Sequence, residues 1–193
     1  MYRAEMAWLS GEPGPMIELA QAAQRVPRAA AGLRAHSALH EARGHALIGE
    51  TSAAERQLAE AAGLASQPAT QRPWLYWCTP QLFECRRGVA LGYLAHMDRY
   101  REQAIEALTA GYAGLGADVR SSEWTADVLV HRAAVHARGG DVGEACADAM
   151  KATPIARQTD SVSLRTLLTE LHAGLAARWP DDPRVTELAG ALR

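Results

Sequence analysis

The six residues HEARGH, His40 to His45, nearly spell the zinc-protease signature H-E-x-x-H. In that signature the histidines stand four apart, about 40° around a helix, so both imidazoles reach one metal while the glutamate acts as base. Here they stand five apart, about 140° around the axis, and point to different faces. His36 and His40 do have the shorter spacing, but no third ligand follows at a readable interval, so no metal or other cofactor is expected.

Other groups suit binding better than catalysis. Trp74, Leu75, Tyr76 and Trp77 form the densest aromatic cluster, bracketed by Pro73 and Pro80 with Cys78 beside it. Rings on a loop can cover a groove and stack on an organic ligand, or they can simply plug the gap that a long loop leaves. Glu84 and Arg87, one helical turn apart, could clamp a carboxylate or a peptide terminus, because guanidinium is a planar bidentate donor; the plainer reading is an ion pair with each other, with Arg86 pointing elsewhere. Trp124, Val128, His131 and Val135 share one helical face, which puts His131 in an apolar stripe. It serves there either as a pocket donor or base, or as a core histidine satisfied by a carbonyl or carboxylate. His40, Arg43 and Tyr93 complete the candidate binding set through their helix positions and their chemistry. No G-x-S-x-G, glycine-rich phosphate loop or Cys/His nucleophile pair is visible, so no catalytic residue is assigned.

These residues need a scaffold, and composition says which. Alanine is the commonest residue, aromatics are few and β-branched runs are missing, so helices are favoured throughout. A single lysine, Lys151, among 20 basic residues fits a GC-rich genome. The net charge of −2 marks no nucleic-acid binder. The first residues lack the basic start and apolar run of a signal peptide, and no stretch approaches the roughly 20 apolar residues of a membrane span, so a soluble cytoplasmic protein is expected. Cys78, Cys85 and Cys146 have no C-x-x-C spacing and read as reduced, mostly buried thiols.

A helix, a tight turn and a second helix recur along the chain. The first clear copy runs from Ala38 to Ala65, with Gly49 closing its first helix and Ser52-x-x-Glu55 as a capping box for its second. Another spans Phe83 to Leu115. A third begins near Trp124, with Gly139 and Gly140 in the turn and Asp141-x-x-Glu144 capping the next helix. Setting Gly49, His96 and Gly140 in register gives intervals of 47 and 44 residues. The whole reads as one helical-repeat domain over 1–193, with units at approximately 2–26, 36–65, 82–115 and 123–152 and terminal helices at 161–178 and 183–192. Within the first clear unit, Ala35, Leu39, Ala42 and Ala46 form an apolar stripe, and His36, His40 and Arg43 a polar one about 100° away. HEARGH therefore reads as the middle of a packed helix whose polar stripe faces a groove or solvent, with His45 on another side.

The repeat turns LIGETSAAERQL and RGGDVGEACADA resemble tetratricopeptide-like repeats. Longer blocks, AWLSGEPGPMIELAQAAQ, EARGHALIG, PWLYWCTPQLFECRRGVALGYL, SEW with VHRAAVHARGGDVGEAC, and LAARWPDDPRV, fall in order along nearly the whole chain. Together they resemble the C-terminal helical-repeat region of actinobacterial XRE-type helix-turn-helix transcriptional regulators. The resemblance implies an all-α, tetratricopeptide-like solenoid of stacked helix pairs with a C-terminal capping helix, acting in ligand sensing or protein–protein interaction. It carries no motif residues that transfer one by one. The helix-turn-helix part has no counterpart here, so no direct nucleic acid contact is expected. The expected partner is a small molecule or peptide on the concave face, or another protein. Self-assembly as a homodimer and a repurposed enzyme scaffold are the competing expectations.

Overall fold

The computed structural model describes residues 12–26, 28–67 and 78–193, and among them nine α-helices and no strand. They are α1 (Pro13–Gln24), α2 (Ala31–Leu47), α3 (Thr51–Ala65), α4 (Pro80–Tyr93), α5 (Asp98–Ala113), α6 (Glu123–Gly139), α7 (Val142–Gln158), α8 (Val162–Arg178) and α9 (Pro183–Leu192). The short helix expected at Tyr2 to Ser10 lies outside the described residues, as does the aromatic cluster Trp74, Tyr76 and Trp77.

Local chemistry sets several helix ends. Gly49 and Gly140 take the left-handed conformation, with φ of 78° and 91°, just past α2 and α6. Only a residue without Cβ does this at no steric cost, so both turns sit where glycine stands. Asp141 Oδ1 accepts from the Glu144 N–H at 3.1 Å, Ser161 Oγ from Leu164 at 3.2 Å, and Asp182 Oδ1 from Arg184 at 2.9 Å. Each such cap contributes roughly 1 kcal/mol. The capping box expected at Ser52 and Glu55 does not form. The Thr51 N–H closes onto the Gly49 carbonyl at 2.9 Å, helix α3 starts at Thr51, and Ser52 is already inside its first turn. Glu55, released from the backbone, pairs instead with Arg99 at 3.1 Å and accepts from the Tyr100 hydroxyl.

Packing follows a regular order. Helices α2, α4, α6 and α8 pack each on the next, α3, α5, α7 and α9 each pair with the helix before them, and α1 packs on α2. The tightest approach is α4 on α5. A Cβ on Gly88 would come within 2.9 Å of the Leu108 backbone nitrogen, and one on Gly111 within 2.7 Å of the Cys85 nitrogen. One core forms around Cys85, Val89, Leu94 and Leu108, and another around Leu129, Leu164, Leu168 and Leu188. A buried ion pair joins α6 to α7. Arg132 donates from Nε to Asp148 Oδ2 at 2.6 Å and from Nη2 to Oδ1 at 2.8 Å, with its guanidinium over the Tyr112 ring of α5. Residue 132 is thereby held against α5 and α7, and its neighbour His131 is turned to the other side of α6.

Candidate functional site

The row formed by α2, α4 and α6 carries a buried polar cluster. Helix α2 brings His36, His40 and Arg43, spaced by four and three residues on one face, each no more than 5% exposed. From α4 come Arg86 and Tyr93, two turns apart, and from α6 Asp127 and His131, one turn apart. Arg43 Nη2 donates to the Tyr93 hydroxyl at 3.3 Å and lies 3.2 Å from His131 Nε2. The Arg43 guanidinium stands over the Tyr93 ring at 5.5 Å, and the Tyr93 and His131 rings meet edge to face at 5.7 Å. Asp127 Oδ1 is 3.4 Å from His131 Nε2. Nε2 of His131 thus stands between a donor, Arg43, and an acceptor, Asp127, and the tautomer decides which of the two it serves.

The electrostatics follow from burial beside two guanidiniums. Burial and then the Arg86 charge push His36 down to about 4. His40 lies well below the ordinary imidazole value, through burial first, then Arg86, Arg43 and His36. Burial also lowers His131; Asp127 opposes this, Arg43 and Arg86 reinforce it, and the net direction is down. Burial alone would raise Asp127, but His131, Arg43 and Arg86 outweigh it and hold the carboxyl well below the usual carboxylate range. At neutral pH the cluster therefore contains neutral imidazoles, two guanidinium cations and one carboxylate among the described residues. His36, Leu39, His40, Arg43, Arg86 and Val89 enclose a hollow of about 10 Å³, the size of one water.

Beyond this cluster a groove of about 860 Å³ opens between α6 and α8, closed at one side by Gly92 and Tyr93 of α4. Tyr93 and His131 belong to both features, so the buried cluster forms part of the groove wall. Small residues make the space: Ala134 and Ala137 on α6 and Gly174 on α8 leave no bulk between the helices. Along α8 the lining runs from Val162 to Trp179, about 26 Å at the helical rise. That length suits an extended molecule.

Of the residues proposed from sequence, His40, Arg43, Tyr93 and His131 come together. Glu84 and Arg87 do not join them; they pair with each other at 2.8 Å on a partly exposed face of α4. Trp124 packs against the core cluster that contains Val128 and Val135. Trp74, Tyr76 and Trp77 lie outside the described residues. The two halves of HEARGH part as their angles require: His40 faces the cluster, while Glu41 accepts from Gln21 of α1 at 3.0 Å and His45 contacts Glu50 at 2.6 Å. Sequence reasoning missed Arg86, Asp127, and the groove residues Arg138, Glu170 and Arg178. The four-residue interval from Asp127 to His131 was a readable signal. Nothing local distinguishes Arg86 from Arg87, since their directions depend on how α4 is rotated against α2 and α6.

Among the described residues no three His, Cys, Asp or Glu side chains converge as a metal site, and no helix is long and apolar enough to cross a membrane. The arrangement can donate several hydrogen bonds from fixed guanidinium, phenol and imidazole groups beside an apolar wall. No family model matches this chain, and no curated protein or solved structure shows significant similarity to it.

Proposed function

We propose that this chain is a binding module, a tetratricopeptide-like solenoid that holds a small molecule or peptide on its inner face. The carrying observation is the groove between α6 and α8, whose volume of about 860 Å³ falls in the range of ligand pockets. The order of helix packing supports the solenoid reading, because a row of first helices lined by a row of second helices is how such repeats bury their apolar faces. The polar cluster supports binding over catalysis: His131 is already in contact with Arg43 and Asp127, and the Cys85 thiol is buried in the core and raised to about 11. A role like that of the regulator region it resembles, sensing a ligand and passing the change to a partner, fits this geometry. A ligand lying across α4, α6 and α8 would act by binding one curvature of the stack more tightly than another.

Ala134→Trp tests the reading, since it fills the groove from its floor. Native mass spectrometry and a thermal-shift screen of metabolites and short peptides would be run on the parent and the variant. Compounds that bind the parent should be lost from the variant, while the variant's own melting temperature stays within about 4 °C, roughly the effect of 1 kcal/mol in a chain of this size. Retention of the same compounds by Ala134→Trp would place binding elsewhere and refute the groove assignment.

A further inference from the structure

The charges in the groove are sorted along its length. Arg138, near the end of α6, donates from Nη1 to the Gly92 carbonyl of α4 at 3.0 Å. Arg178, at the end of α8, donates from Nη1 to the Ala137 carbonyl of α6 at 2.8 Å, and its guanidinium lies over the Trp179 ring at 4.5 Å. Each arginine thus reaches back to the last turn of the preceding inner helix. The two cations are anchored at the same end of the groove, and both belong to its lining. One such backbone bond occupies one of five guanidinium N–H groups, so each arginine keeps N–H groups for a further acceptor.

Glu170 stands in the same wall, eight positions before Arg178 on α8, which is about 12 Å along the helix. None of the ion pairs among the described residues uses it. Between Glu170 and the arginines the wall is apolar and mostly small: Ala134 and Ala137 on α6, and Leu171, Gly174 and Leu175 on α8. A ligand that complements this surface is positive at one end, apolar in the middle and negative at the other, the helix positions that carry the charges standing about 12 Å apart along α8.

We propose that the groove takes a short peptide with free termini, its ammonium group at Glu170 and its carboxylate between Arg138 and Arg178. This rests on the groove reading given above and names the ligand class. An extended chain advances about 3.3 to 3.6 Å per residue, so the separation corresponds to three or four residues. The carboxylate receives planar N–H groups from two arginines that are already held in place by backbone carbonyls, which lowers the entropy lost on binding. The glycine and alanines of the wall leave room for the apolar side chains of the ligand.

The test uses the full chain and four forms of the tetrapeptide Ala-Leu-Leu-Ala: free, N-acetylated, C-amidated, and blocked at both ends, titrated by calorimetry. The free form should bind, and each single block should weaken binding at least tenfold. Glu170→Gln should bind the free and acetylated forms alike, the double change Arg138→Gln with Arg178→Gln should bind the free and amidated forms alike, and Arg178→Gln by itself should narrow that preference, with Arg178→Lys restoring part of it. Equal binding of all four forms, or binding of none, overturns the zwitterion proposal. If, in either case, Ala134→Trp still abolishes binding of the blocked peptide or of a compound from the screen, the groove remains the binding site. If Ala134→Trp leaves binding intact, the groove reading falls with the proposal.

Discussion

Removing Asp148 gives the sharpest test of how this scaffold holds its inner face. The Asp148 side chain is 1% exposed and that of Arg132 10%, and the two share charge-assisted bonds of 2.6 and 2.8 Å. Asp148→Ala would leave the Arg132 cation buried against Tyr112 with no carboxylate. Breaking such a pair from one side costs about 3 to 5 kcal/mol, because the remaining charge keeps its desolvation penalty without its partner. Lys151, 3.1 Å from the same carboxylate but 54% exposed, adds no more than about 1 kcal/mol to the loss. In a chain of this size each kcal/mol lowers the melting temperature by about 2 to 4 °C, so the expected drop is about 6 to 20 °C. Urea unfolding followed by circular dichroism would give the free energy. The double change Arg132→Met with Asp148→Leu separates pairing from packing: replacing both charges by apolar groups should cost far less than either single loss. A loss below about 1 kcal/mol for Asp148→Ala, or a double variant as unstable as the single one, would refute the argument. The pair also has a pH signature. Burial alone would raise Asp148, but the Arg132 bonds outweigh it and hold the carboxyl down, so its stabilisation is present at neutral pH and fades as pH falls below the ordinary carboxylate range.

Acidification should destabilise the protein earlier through its histidines. His36 is depressed to about 4 from 6.5, so the unfolded chain binds more protons between those values; this group costs nothing above pH 6.5, and a penalty of roughly 3 kcal/mol builds up as pH falls toward 4. His36→Gln should flatten the melting temperature across that window, and an unchanged slope would refute the assignment. Gly88→Ala should cost about 1 to 3 kcal/mol, since the new methyl meets Leu108 at 2.6 Å from its Cγ and 2.9 Å from its backbone nitrogen. Denaturant midpoints measure this, and a neutral substitution would show that α4 and α5 part without loss.

Much of the helical framework was legible because its causes are local. Gly49 and Gly140 mark turns that only glycine enters freely, Asp141 and Asp182 cap the helices that follow them, and Ala35, Leu39, Ala42 and Ala46 recur at a helical period and are buried. The capping box at Ser52 misled for the same local reason: its pattern was present, but the turn closed earlier on Gly49. The site was legible only where residue type and helix face coincided, as for His40, Arg43, Tyr93 and His131.

Sequence by itself therefore determined that this chain is helical, where several of its helices turn and begin, and which stripe of α2 is apolar, since periodicity and capping act within a turn or two. Tertiary structure alone decided which polar residues meet. Arg86 and Arg87 are chemically alike, yet the rotation of α4 between α2 and α6 sends Arg86 to the cluster and Arg87 to Glu84. Arg43 reaches Tyr93 and His131 across 50 and 88 positions of chain. The groove exists because Ala134, Ala137 and Gly174 are too small to fill the space between two helices whose separation is set elsewhere, by the cores beneath them. Such contacts are sums over many packed side chains, and no short stretch of sequence contains them.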